Sequence, residues 1–69
     1  MTKEDKEIRF GIIAIDKGYT TTEQIIDALK IQVNEDTLAG KHRRIGMILF
    51  EQGHITLMQI DDVLKEIEK

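Results

Sequence analysis

One segment of this chain is written twice, and that repetition limits what the chain can fold into. Arg9-Phe10-Gly11-Ile12-Ile13-Ala14-Ile15-Asp16-Lys17-Gly18 is answered 35 positions later by Arg44-Ile45-Gly46-Met47-Ile48-Leu49-Phe50-Glu51-Gln52-Gly53. The match continues through Thr21 with Thr56, Gln24 with Gln59, Ile25 with Ile60, Asp27 with Asp62, Leu29 with Leu64 and Lys30 with Lys65. Ten identities over the 24 aligned positions 9–32 and 44–67 mark an internal repeat, since unrelated stretches agree at roughly one or two. A chain of 69 residues holds one domain near the lower size limit, so the two copies must share one core.

Each copy reads as a helical hairpin. Ile8, Ile12 and Ile15, widened by Ile13, recur at helical spacing and predict the buried stripe of a first helix. Gly18 follows where a left-handed C-cap is wanted, because glycine carries no Cβ penalty there. Thr21 and Gln24 then form a capping box, and Ile25, Ala28, Leu29 and Gln32 line one face of a second helix. Gly53, the Thr56–Gln59 box and the stripe Ile60, Val63, Leu64, Ile67 repeat this in the second half. Residues 33–40 read as a helix end fraying into a polar connector. The expectation is an all-α fold without strands, a single domain over 1–69, with four short helices at about 3–17, 21–34, 41–52 and 56–68. Isolated helices of this length are marginal in water. The hairpins must therefore pack on each other, burying Ile13, Ile25, Leu29, Ile48, Ile60 and Leu64.

Composition removes several function classes. No cysteine is present, and His42 and His54 stand apart, so neither a disulfide framework nor a zinc site is expected. A net charge of −3 argues against generic binding to a nucleic-acid backbone. The basic run Lys41-His42-Arg43-Arg44 is small, and a final helix carrying Asp61, Asp62, Glu66 and Glu68 is a poor recognition helix. The apolar run Ile12–Ile15 is too short to span a membrane, and the charged N-terminus lacks the apolar core of a leader, so the expected compartment is the cytoplasm. Carboxylates are spread over solvated helix faces, and no nucleophile–base arrangement stands out. The expectation is a binding protein, not an enzyme, with no cofactor.

Gly18 and Gly53 have a conformational reason, but Gly11 and Gly46 lie inside helices, where glycine costs about 0.5–1 kcal/mol relative to alanine. Close approach of something to the backbone would explain them, either another helix or a flat ligand. Arg9 and Arg44, two positions earlier in each copy, supply planar donors suited to phosphate or to the acceptor edge of guanine. Gln32 is a polar amide in register with an apolar face, where the second copy has Ile67.

Arg9-Phe10-Gly11, Ala14-Ile15, Gly18, Ile25, Leu29 and Gln32 resemble the long cyclic di-GMP-binding motif of the MshEN domain, the N-terminal domain of type II secretion and type IV pilus assembly ATPases. Arg44-Ile45-Gly46, Leu49-Phe50, Gly53, Ile55, Ile60 and Leu64 resemble it again, so the likeness covers residues 9–67. It implies a tandem in which each copy holds one half of the symmetric dinucleotide. Arg9, Arg44 and Gln32 would make polar contacts. Phe10, Gly11, Ala14 and Ile15, with Ile45, Gly46, Leu49 and Phe50, would form the surface under the ligand, and Gly18 and Gly53 complete the motif. Ile25, Leu29, Ile60 and Leu64 would support that surface from the core. The chain departs from the pattern at Tyr19, Thr20, His54, Ala14 and Ile67, and its connector 33–43 is longer.

Two functions follow. One is a small cyclic di-GMP receptor acting through a protein partner, because the chain has no phosphate-binding G-x-x-x-x-G-K-[ST] loop of an ATPase. The other is a nucleotide-independent docking module for secretion or pilus assembly components, with exposed apolar atoms around Phe10, Tyr19 and Phe50 as its contact patch.

Overall fold

Both Gly-Thr junctions form alike, and they set the architecture. The computed structural model describes residues 3–40 and 42–69. It contains α1 (Lys3–Asp16), α2 (Thr22–Asn34), α3 (Ile45–Glu51) and α4 (Leu57–Glu68), with no strand among the described residues. Gly18 and Gly53 take φ of 78° and 81° and close α1 and α3. The next amide returns to the helix in each copy, Tyr19 N–H to the Ala14 carbonyl and His54 N–H to the Leu49 carbonyl, both at 2.9 Å. Both capping boxes form: Thr21 with Gln24, and Thr56 with Gln59. The expected all-α class and helix count hold.

The connector differs from expectation. Rather than fraying, α2 runs into a π-helical turn, Glu35–Ala39, that Gly40 ends with φ 66°. Residues 42–44 lie outside any helix, with Arg44 extended, so α3 starts at Ile45 and not near 41; Lys41 itself lies outside the described residues. Side-chain bonds hold this segment open. Arg43 Nε donates to Glu35 Oε1 at 2.8 Å, and its guanidinium also pairs with Glu51 on α3. Gln32 Nε2 donates to the Arg43 carbonyl at 3.1 Å.

The core is Phe10, Ala14, Ile25, Ala28, Ile45, Ile48, Leu49, Ile55 and Val63. On α1 the inward face is Glu7, Phe10, Gly11 and Ala14, and the expected stripe is a correction: Ile8 and Ile12 are exposed. Both sets have helical spacing. The set with Gly11 and Ala14 wins because small residues let helices approach while Phe10 fills the centre. Ile13, Leu29 and Ile60 are half-buried against the core, and Leu64, expected inside, is exposed.

Packing crosses between the repeats. Among the four α-helices the most extensive pairings are α2 with α3 and α1 with α4, and exchanging the two copies turns one pairing into the other. The loops follow the same rule with different chemistry. Tyr19 after Gly18 donates its hydroxyl to Asp62 of α4 at 2.5 Å. Its counterpart His54 after Gly53 reaches Gln24 of α2, Nδ1 to Nε2 at 3.2 Å. Gln24 Oε1 already accepts from the Thr20 hydroxyl and the Thr21 amide, so its NH2 group faces His54, which accepts at Nδ1.

Candidate functional site

The late start of α3 opens a groove. Helix α1 begins seven residues before Phe10, whereas α3 begins at Ile45, the residue that matches Phe10. The N-terminal turns of α1 thus have no equivalent in α3. In the space that results lies a groove of about 410 Å³, walled by Phe10, Ile45, Gly46, Met47, Leu57, Ile60, Leu64 and Ile67. Lys6, Glu7, Arg44 and Glu68 complete its lining. Pockets for small ligands are mostly apolar with a few placed polar groups and span about 300–1,000 Å³, so this groove is at the small end of that class.

Glu7 builds one edge of the site. It is buried, and its Oε2 accepts the Ile45 N–H at 2.7 Å from 38 residues away in sequence. Arg44, the N-cap residue of α3, makes no side-chain cap, so a carboxylate from α1 takes that task. A negative charge at a helix N-terminus also opposes the positive end of the helix dipole favourably. The cap fixes where α3 begins, and hence where Arg44 leaves the backbone. Arg44 is exposed and has no ion pair among the described residues. Lys6 adds a second positive charge to the groove and Glu68 a carboxylate.

Of the residues expected to bind, the groove brings together Phe10, Arg44, Ile45 and Gly46. Ile60 and Leu64, expected as support from the core, form its wall. The remaining residues go elsewhere. Ala14 and Leu49 are fully buried in the core, Ile15 packs half-buried against it, and Phe50 lies on the surface. Gln32 is buried and spent on the connector. Arg9 is exposed on α1, outside the groove, and Gly18 and Gly53 are the left-handed residues of the two turns.

The internal glycines are explained by the chain's own packing. A Cβ at Gly11 would stand 3.1 Å from Ile25 Cγ2, and one at Gly46 would stand 2.9 Å from Phe10 Cζ. At the first copy Ile25 of the same hairpin closes on Gly11. At the second, Phe10 of the other hairpin covers Gly46 and becomes a groove wall.

Away from the groove, Asp62 receives Tyr19 and also pairs with Lys17 at 3.1 Å. The Tyr19 hydroxyl, then Lys17, hold the Asp62 carboxyl below its ordinary value. The same contacts push Lys17 and Tyr19 upward. Glu35 raises the Arg43 guanidinium further. Among the described residues no cluster of three or more His, Cys, Asp or Glu is placed to hold a metal ion, and no helix is long and apolar enough to cross a membrane.

Sequence reasoning missed Lys6, Glu7, Met47, Leu57, Ile67 and Glu68 as lining residues. Glu7 carried a readable signal, since 7, 10, 11 and 14 share the spacing of one helix face. Met47 simply follows Gly46 on α3, and the others depend on α1 lying against α4, which no local pattern encodes. Comparison of the chain with protein-family models, with curated proteins and with solved structures finds no match.

Proposed function

We propose that this chain is a nucleotide-binding module whose second Arg-Ile-Gly copy carries the ligand, with cyclic di-GMP the first candidate on the strength of the resemblance to the MshEN motif. The observation that carries this reading is Arg44, exposed and without an ion pair among the described residues, at an apolar groove to which both repeats contribute. A planar base lies against Met47, Leu57, Ile60 and Leu64, the accessible part of the wall. Arg44 and Lys6 take phosphate oxygens or the O6/N7 edge of guanine, and Glu68 accepts from guanine N1–H and its amino group. The groove has room for one base and its sugar, so one half of the dinucleotide enters and the other lies along the surface. Output runs through a protein partner.

Calorimetric titration of the full chain with cyclic di-GMP, and with GTP as control, tests this. Saturable binding that Arg44→Ala weakens by tenfold or more is expected, since a hydrogen bond to a charged group contributes about 1.5–3 kcal/mol. No heat at millimolar ligand, or equal affinity in Arg44→Ala, defeats the assignment.

A further inference from the structure

The first hairpin exposes aliphatic side chains at places where the second carries charge. On the first hairpin Ile8, Ile12, Ile26 and Val33 are 51%, 54%, 46% and 60% exposed, with Leu29 half-buried beside them. The positions matching Ile8, Ile26 and Val33 in the second copy are Arg43, Asp61 and Glu68, all charged. Asp61 and Glu68 on α4 thus hold charges in the helical setting where α2 has Ile26 and Val33, whereas Arg43 lies in the connector before α3 and Ile12 is matched by the exposed Met47.

These side chains form one patch. Ile8 and Ile12 are one turn apart on the side of α1 that bears Gly11. Ile26 and Leu29 adjoin Ile25 on α2, and Ile25 is the residue that closes on Gly11. Ile26, Leu29 and Val33 line a shared depression. Together the exposed parts amount to about 400 Å² of apolar surface, within the range of the largest patch on a typical monomer and often functional. It is about half of what each partner contributes to a standard interface, and so the right size for the apolar centre of one.

The charges at its edges say what covers it. Arg9 borders the patch on α1 and Asp27 borders it on α2; both are exposed, and neither has an ion pair among the described residues. Arg9 lies two residues before Gly11, and Asp27 two residues after Ile25. Both residues thus stand two positions from the contact of Gly11 with Ile25 that joins α1 to α2. One positive and one negative charge at the margins of the same patch suit a two-fold related copy, in which Arg9 of each chain can meet Asp27 of the other. We infer that the first hairpin's outer face binds a second copy of this chain, giving an isologous dimer. The surface is separate from the groove, and the inference stands whether or not a nucleotide binds there.

Sedimentation of the full chain from low micromolar to millimolar concentration tests it. The expected mass rises from that of one chain to that of two. Ile26→Asp and Val33→Glu, which install the second repeat's residues at exposed positions, should each hold the mass at one chain with helical circular dichroism unchanged. Arg9→Asp should weaken the dimer by about tenfold, and adding Asp27→Arg to the same chain should restore it. One-chain mass for the unaltered protein at millimolar concentration overturns the inference. So do a dimer as tight in both aliphatic variants, and a double charge reversal that stays as weak as the single one.

Discussion

The ring of Phe10 lies over Gly46 so closely that a Cβ on that glycine would stand 2.9 Å from Cζ. Phe10 is buried in the core and walls the groove, so a methyl at Gly46 would push its ring out of the core toward that space. Gly46→Ala should therefore lower stability by about 1–2 kcal/mol, the helix-propensity gain being outweighed by overpacking. Gly11→Ala meets only a methyl group of Ile25 at 3.1 Å and should change stability by less than about 0.5 kcal/mol. Chemical denaturation of both variants checks this difference between otherwise matching positions.

Glu7 caps a helix from another repeat, and its removal leaves the buried Ile45 amide without an acceptor. Glu7→Ala should cost about 2–3 kcal/mol, and Glu7→Gln, which keeps an acceptor oxygen but loses the charge, about 1 kcal/mol. Hydrogen exchange should show faster opening at Ile45 in both variants, more so in the alanine one. Unchanged protection of that amide would contradict the cap.

The Tyr19–Asp62–Lys17 cluster makes stability depend on pH at both ends. Asp62 is lowered from its ordinary 3.8, so its contribution is present above that value and lost as pH falls through the folded-state value. Tyr19 and Lys17 are raised from 10.0 and 10.5, so theirs is present below those values and lost as pH rises. The stability difference between the unaltered chain and Asp62→Asn should be flat near neutrality and shrink below about pH 4 and above about pH 10. A difference independent of pH would show that the cluster does not couple to folding.

What the sequence made legible follows the range of the interaction. Gly18, Gly53 and the two Thr-x-x-Gln boxes act within a few residues, and they form as read. The inward face of α2 also forms as read, with Ile25, Ala28 and Gln32 buried, although Ile26, Leu29 and Val33 share its spacing. On α1 two stripes shared the same period, and hydrophobicity favoured Ile8 and Ile12 over Phe10, Gly11 and Ala14. Only the approach of a neighbouring helix decides between them. The candidate site was half legible for the same reason. Arg44, Ile45 and Gly46 are contiguous in sequence, while Lys6, Glu7 and Glu68 join them through the pairing of α1 with α4. Gln32 looked like a ligand contact because a connector's need for a donor leaves no mark in local sequence.

The central claim is that nucleotide binds at the second copy and not equally at both. An amide-shift titration with cyclic di-GMP tests it residue by residue. The account predicts saturable shifts at Arg44–Met47, Leu57, Ile60 and Leu64–Glu68, extending to Lys6 and Glu7, with Arg9 and Ile12 little moved. Equal shifts around Arg9–Ile12 and Arg44–Met47, or none at millimolar ligand, would contradict it.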